Sequence, residues 1–278
     1  MSKKSKLVYF GASGCGNAYC KNSGIMPDIF VDNDQSKWGS IFNGAIVQDP
    51  KVLSKINLKK LVITTSYLES VYPQILDMGI DKKLIEIPPK SMWSDKIFEN
   101  EETRKYAAKK LNKIKTEFST HFDDKSKLVA VGGTALGFAR ESDFIKWDDD
   151  IDLFAPIKTR ESLLNMLVSW GYRFEEKYES IMNALVFWMP LENGVEVPVS
   201  VDFFDESGNT FIDFFEDYSW EWQTEMFIQC KEVQIHGHLM TLPNPPEIYL
   251  EKVYGSNWSN PNPEFGYSDY AGNKKSNT

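Results

Sequence analysis

VGGTALGFARESDFIKWDDDIDLF occupies Val131–Phe154, and its second half decides how the chain is read. Asp148, Asp149, Asp150 and Asp152 crowd together, yet Trp147 precedes them, Ile151 interrupts them and Leu153-Phe154 follow. A solvated acidic run has no use for that apolar frame. A strand over about Asp149–Phe154 would send Asp150 and Asp152 to one face and Ile151 and Leu153 to the other, because strand side chains alternate. Asp148 shares the parity of Asp150 and Asp152 if the strand begins that early. Carboxylates held side by side repel one another unless a cation lies between them. Hard oxygen ligands of this kind suit Mg2+ or Mn2+. A second strand, Val199–Phe204, carries Asp202 on the face opposite Val199, Val201 and Phe203. So isolated a carboxylate costs free energy unless it is paired or metal-bound. A salt bridge or turn cap would explain Asp202 alone, but beside the acidic strand it reads as a further ligand.

Upstream, Gly132-Gly133-Thr134 closes a strand at Leu128–Val131. Glycines let backbone amides approach an anion closely, and a helix starting there points its positive end at it. Gly-Gly-Thr alone is a common turn. Followed by Asp-x-Asp on one strand and an aspartate on a later one, it reads as a phosphate site beside a metal site.

The totals bound the remaining possibilities. The chain has 278 residues, room for one large domain or two ordinary ones, and with 42% apolar residues it has the material for a core. Net charge is −9, from 31 basic and 40 acidic residues, which argues against sequence-independent nucleic-acid binding, where basic residues neutralise phosphates. Cys15, Cys20 and Cys230 form neither a disulfide framework nor a zinc spacing. The apolar runs are too short to span a bilayer, and no signal-peptide core follows Met1–Lys6. The expectation is a cytoplasmic protein with no membrane span and no nucleic-acid partner.

Two grammars divide the chain near residue 95. In residues 1–95, strands at Lys6–Phe10, Asp28–Asp32, Leu61–Thr65 and Leu84–Ile87 alternate with helical stretches, the pattern of a parallel α/β sheet. Pro88-Pro89 breaks it, and an amphipathic helix follows over about Glu101–Phe122. Residues 96–278 read as α+β with mostly antiparallel pairing. A helix over Thr159–Trp170 stops at Gly171. A hairpin runs from Ala184 to Phe204 around Asn193-Gly194, and another surrounds His236-Gly237-His238. The low-complexity tail Asn273–Thr278 reads as frayed.

The combination resembles the polymerase-β-like nucleotidyltransferase fold, and more closely the LicD family of phosphocholine and phosphopolyol transferases with its fukutin-type relatives. The residues that carry the resemblance are Gly132-Gly-Thr-Ala-Leu-Gly-Phe-Ala-Arg140 and Phe144-Ile-Lys-Trp-Asp-Asp-Asp-Ile-Asp152, followed by Val201-Asp-Phe-Phe204. Leu242-Pro243 and Tyr249-Leu-Glu-Lys-Val-Tyr-Gly-Ser-Asn-Trp258 fit the family's C-terminal signature. Lys146 stands where the family often has proline, away from any ligand position. The resemblance covers about residues 100–265. It implies transfer of a phosphorylated alcohol from a CDP-activated donor to a hydroxyl of a capsular or cell-surface glycan precursor, in peripheral association with surface-polysaccharide assembly. Asp150, Asp152 and Asp202 would hold the metal, with Asp148 or Asp149 assisting or acting as base. Gly132, Gly133, Thr134 and Arg140 would meet the donor, although a surface salt bridge explains Arg140 equally well.

The first domain carries Gly11-Ala-Ser-Gly-Cys-Gly16, which departs from the strict dinucleotide fingerprint because Ser13 replaces its second glycine. Gly11 and Gly14 are its candidate phosphate contacts, and Asp32 is a candidate ribose contact or an ordinary strand-end residue. Phe30–Gly39 resembles the Rossmann-like N-terminal domains of polysaccharide-modifying enzymes, but no residues for hydride chemistry accompany it. It reads as a small-ligand or assembly module. His236 and His238 read as turn residues, the aromatic stretch Phe211–Trp222 as packing over a sheet edge, and Arg104–Lys115 as a solvated helix face. Two other functions remain open: a glycosyltransferase whose Asp-x-Asp binds a nucleotide sugar, and a non-catalytic nucleotide-sensing or scaffold protein.

Overall fold

The computed structural model describes residues 4–65, 67–122, 126–174, 184–215 and 218–274. The chain divides into two compact units, Met1–Asp95 with Asn262–Tyr267, and Lys96–Pro261 with Ser268–Thr278. The sequence boundary near residue 95 falls at this division. The return of residues 262–267 to the first unit had no sequence signal. Among the described residues no helix is long and apolar enough to cross a membrane.

In the first unit, β1 (Lys6–Phe10), β2 (Ile29–Val31), β3 (Ile41–Phe42), β4 (Ala45–Gln48), β5 (Leu58–Ile63) and β6 (Ile85–Glu86) form one sheet in the order β3-β4-β2-β1-β5-β6. All pairs are parallel except the edge hairpin β3–β4. Helix α1 (Gly14–Ser23) follows β1, α2 (Leu68–Asp77) follows β5, and the short α3 (Lys90–Trp93) packs against α1. Both sheet faces are buried, which is why β1 and β5 end in unbroken apolar runs. Val8, Phe10, Val31, Leu61 and Ile63 pack with Val71 and Ile75 of α2. Tyr9, Phe30, Val47 and Val62 pack with Tyr19 and Cys20 of α1 on the other side.

The second unit opens with α4 (Glu101–His121), whose N-terminus is capped by the Asn100 side chain accepting from the amides of Glu102 and Thr103. That cap satisfies two of the amides a helix start leaves without intrahelical partners. Its buried residues Ala107, Leu111, Ile114 and Phe118 recur at helical spacing. The expected solvated face at Arg104–Lys115 is therefore broken at Arg104, which is itself buried.

Five strands follow in the order β7-β8-β11-β10-β9: β7 (Val129–Ala130), β8 (Ile151–Pro156), β9 (Arg173–Phe174), β10 (Ala184–Pro190) and β11 (Glu196–Phe204). Pairing is antiparallel except between β8 and β11, the central pair, which run parallel. Helix α5 (Gly132–Arg140) packs on β8, and α6 (Arg160–Ser169) leaves from β8's far end. The expected Ala184–Phe204 hairpin is β10–β11. The expected hairpin at His236 is β14 (Lys231–Ile235) with β15 (His238–Leu242), joined by His236 and Gly237, both at positive φ as a two-residue turn of this kind requires.

The aromatic stretch forms its own hairpin, β12 (Thr210–Phe215) with β13 (Tyr218–Gln223). Asn273–Lys274, expected to fray, instead add to β13 as β16, and residues 275–278 lie outside the described residues.

Candidate active site at the start of helix α5

The acidic strand begins at Ile151, two residues later than the sequence suggested. Asp148, Asp149 and Asp150 therefore sit in irregular backbone between the turn at Lys146-Trp147 and the strand, where strand alternation does not apply. That segment draws the three together. One carboxylate oxygen from each lies within 4.8 Å of the others, with Asp148 buried and the other two half-buried. The backbone amide of Asp148 donates to the Ile145 carbonyl, and that of Asp149 to the Asp148 side chain at 3.3 Å. The donor set is all carboxylate oxygen. Its close approach without a compensating cation is repulsive, so it fits Mg2+ or Mn2+.

Asp152 is held from several sides. Its amide donates to Thr134 Oγ1 at 3.0 Å, its carbonyl accepts from Val131 N, and its Oδ1 accepts from Ser200 Oγ at 2.9 Å. Ser200 faces Asp152 across the parallel β8–β11 pair, and Asp202 faces Phe154 one step further along the same sheet face. That step separates Asp202 from Asp152 by about 7 Å along the strand. The expected trio of Asp150, Asp152 and Asp202 is thus not the tight group. The tight group is Asp148–Asp150, with Asp152 beside it and Asp202 behind.

The two glycines have a role visible in these contacts. Gly132 adopts φ +54, and a Cβ there would lie 3.0 Å from Asp152 Oδ2. A Cβ on Gly133 would lie 2.3 Å from Asp148 Oδ2. Such an overlap leaves no room for a side chain. The Gly-Gly pair admits two carboxylates to the start of α5, where the helix dipole favours negative charge. The Gly132 amide donates to the hydroxyl of Tyr249, on the helix Pro246–Tyr254, at 2.9 Å. Tyr249 is 3% exposed. Burial raises its phenol well above the usual range, only partly offset by the Gly132 amide. Gly132 and Thr134 thus both serve the carboxylates and their frame.

Behind Asp202 stands a carboxylate that the sequence reading passed over. Asp213 of β12 lies among aromatics and next to Asp202. Desolvation pushes the Asp202 carboxyl up to about 7, with the Asp213 charge adding to the effect. Desolvation likewise raises Asp213 to about 6, against the opposing pull of the Trp222 indole and the Phe214 amide. The Trp222 Nε1 is fully buried and has no hydrogen-bond partner of regular geometry. The signal for Asp213 was available: a lone acid in Phe211-Ile-Asp-Phe-Phe215 repeats the pattern of Asp202. The surrounding aromatics drew the reading toward packing instead.

Arg140 is not brought to this end. It closes α5, about 12 Å along the axis from Gly132. There it pairs with Glu141 Oε1 at 2.7 Å and donates to the Trp258 carbonyl at 3.4 Å. The Arg140 side chain is buried in this pairing rather than exposed at the surface. His236 joins a different, part-buried cluster: its Nε2 lies 2.8 Å from Asp143 Oδ1, and Asp143 Oδ2 accepts from Arg104 Nε at 2.8 Å. That cluster ties α4 and the β14–β15 turn to the loop leading into the acidic run.

In the first unit, the loop after β1 is also self-occupied. Asp32 Oδ2 accepts from the Ala12 amide at 2.9 Å and from Lys37 Nζ at 3.0 Å, and Oδ1 accepts from the Asp34 amide. An acid so fully engaged acts as a strand-end tie, and a ribose would have to displace those partners. The close helix–loop approach falls at Gly16, whose Cβ would meet the Gly11 carbonyl at 2.2 Å, whereas nothing lies within 4 Å at Gly14.

Residues 126–245 match the family described as LicD/FKTN/FKRP, nucleotidyltransferase domain. This segment is a LicD domain. It contains every carboxylate of the site and the Gly-Gly turn. Tyr249 and Trp258 lie beyond the matched segment of the LicD domain, although Tyr249 touches its first helix turn. A LicD domain implies transferase activity. No curated protein matches the chain.

Proposed function

We propose that the protein transfers a phosphoalcohol, phosphocholine or a relative, from a CDP-activated donor to a hydroxyl of a surface-glycan precursor, with Mg2+ or Mn2+ bound by its carboxylates. The observation that carries this reading is the convergence of Asp148, Asp149 and Asp150 at the first turn of α5 within the LicD domain. Asp148, Asp150 and Asp152 would hold the ion, and Asp202 would complete the set from the neighbouring strand. Bound there, it supplies charge neutralisation on the donor diphosphate and orients displacement in line.

The chain's own residues do the rest. Ser200 and Thr134 fix Asp152. Tyr249 holds the amide of Gly132, and so the pitch of the first turn. Asp149, half-buried where Asp148 is packed against Gly133, takes the proton of the acceptor hydroxyl. The acceptor oxygen forms its bond to the alcohol-bearing phosphorus as the bond to the CMP oxygen breaks. The first unit, read as a Rossmann-like module, serves acceptor choice or assembly, because its phosphate loop is tied to Asp32 and it carries no catalytic set.

The test is a panel of CDP-choline, CDP-glycerol, CDP-ribitol and CDP-ethanolamine, each scored for thermal stabilisation with Mg2+ and Mn2+. One donor at a hundred times its Kd should stabilise the protein by about 2.7 kcal/mol, and only when metal is present. Stabilisation by UDP-sugars and by none of the four would identify a glycosyltransferase instead.

A further inference from the structure

One end of the first unit differs in charge from the rest of the chain. Residues 1–95 hold twelve lysines, no arginine and nine acids, a net charge of +3, whereas residues 96–278 carry −12. In a parallel sheet with crossover helices, the strand starts and the helix ends lie together at one end. Here Lys4 and Lys6 stand at the start of β1, Lys59 and Lys60 at the start of β5, and the short helical turn Lys82–Leu84 leads into β6. Lys21 lies in the last turn of α1, and Lys55 comes two residues before Asn57, whose carbonyl accepts from the Lys6 amide. Only Asp28, Asp77, Asp81 and Glu86 oppose these eight lysines, and Asp28 and Glu86 are taken up by Lys6 and Lys60. Lys21, Lys55, Lys59, Lys82 and Lys83 are all exposed and form no ion pair among the described residues. At the opposite end of the sheet, Asp32, Asp34 and Asp49 stand against Lys37 and Lys51, so the excess of positive charge belongs to one end alone.

An apolar tip sits at the same end. Ile25 and Met26, in the loop from α1 to β2, are 52% and 58% exposed. The backbone of that loop is pinned on both sides. The Gly24 amide donates to the Cys20 carbonyl at 3.0 Å, the Tyr9 hydroxyl to the Ile25 carbonyl at 3.0 Å, and the Asp28 amide to the Leu7 carbonyl at 2.9 Å. Pro27 between them is buried. A well-fastened loop thus holds two large aliphatic side chains in water, and their removal from water would be favourable.

We propose that this end of the first unit docks on an anionic lipid surface, with Ile25 and Met26 entering the headgroup layer and the lysines facing lipid phosphates. The inference stands apart from the transferase reading and uses none of its residues. Lysine suits such a surface, because its stem lies along apolar material while the ammonium stays at the charged interface. Nucleic acid fits less well. Bidentate phosphate and base contacts are the work of arginine, which residues 1–95 lack, and neither Ile25 nor Met26 offers a flat ring on which a base stacks. A second copy would bring the acids of residues 96–278, but two aliphatic side chains fall far short of the roughly 800 Å² per partner that a stable protein interface buries.

The experiment cosediments the full chain with vesicles of phosphatidylcholine alone, or of equal parts phosphatidylcholine and phosphatidylglycerol. The chain should pellet only with the mixed vesicles, and about 1 M salt, where the screening length is about 3 Å, should release it. Lys82→Gln with Lys83→Gln should weaken binding by about fivefold for each lysine. Ile25→Ser with Met26→Ser should weaken it by about tenfold or more, with the melting temperature unchanged because both side chains are exposed. Lys105→Gln with Lys109→Gln, on the exposed side of α4, lowers the net charge equally and should leave vesicle binding as in the wild type. No pelleting with mixed vesicles, an equal loss in this control pair, or binding unaltered in both test pairs would overturn the proposal. So would salt-sensitive self-association, or binding of a single-stranded oligonucleotide, that takes the place of vesicle binding and is lost in the same variants.

Discussion

Asp202→Asn is the sharpest perturbation of the acidic site, because its effect on stability should reverse with metal. Burial, reinforced by the charge of Asp213, raises the Asp202 carboxyl from the ordinary 3.8 to about 7. The folded state therefore holds this proton more tightly than the unfolded chain does. Its contribution is fully present below about pH 4, fades as pH rises toward 7, and above that the ionised carboxylate is a net penalty relative to the unfolded state. A shift of that size corresponds to at most about 4 kcal/mol. Asp202 keeps partial solvent contact, so about half of that, roughly 2 kcal/mol, is the realistic scale. In EDTA at pH 8 the Asn variant, which cannot ionise, should melt above the wild type by roughly 4–8 °C. At pH 4.5 the difference should shrink toward zero. Saturating Mg2+ should return the advantage to the wild type while the variant stays inactive in transfer. Scanning calorimetry at the two pH values, with and without metal, checks each sign. An Asn variant less stable than wild type in EDTA at pH 8 would refute the burial argument.

Gly133→Ala places a methyl group where Asp148 Oδ2 stands, 2.3 Å away, so the variant should fold yet lose at least tenfold in Mn2+ affinity by calorimetry. Tyr249→Phe removes the acceptor for the Gly132 amide and should cost about 1–3 kcal/mol, read as a shift in urea midpoint, with a fall in kcat larger than any rise in donor KM. Asp32→Asn in the full chain should leave donor and metal binding unchanged by calorimetry, since Asp32 is engaged with Ala12, Asp34 and Lys37; loss of donor binding would move the donor to the first unit.

Several features were legible because their local chemistry has few solutions. Positive φ at His236 and Gly237 gave the β14–β15 turn, and the apolar strands of the first unit gave a parallel sheet. Other features depended on partners distant in sequence. Tyr249 reaches Gly132 across 117 residues, and nothing near either residue announces the pairing. Arg104 read as surface because its neighbours are charged, yet Asp143 and the carbonyls of Phe98 and Glu99 bury it. The acidic strand was started two residues early for a related reason. Alternation describes Ile151 onward, but Asp148, packed against Gly133, and the two residues after it precede the strand in irregular backbone. Asp213 was hidden by composition, since aromatic neighbours suit both a packed sheet and a desolvated acid.

The parallel pairing of β8 with β11 bears on how this chain tolerates change in length. Parallel neighbours cannot be joined by a tight turn, so the polypeptide must travel from Ile157 to Val195 before returning beside its starting strand. Residues added near α6, on that detour, leave the facing of Ser200 and Asp152 untouched. A single residue deleted within β11 upstream of Ser200 does the opposite. It turns Ser200 and Asp202 into the core and brings Val201 out to face the carboxylates. Homologous chains should thus differ freely in the length of the detour while keeping an invariant count between Asp202 and the start of its strand.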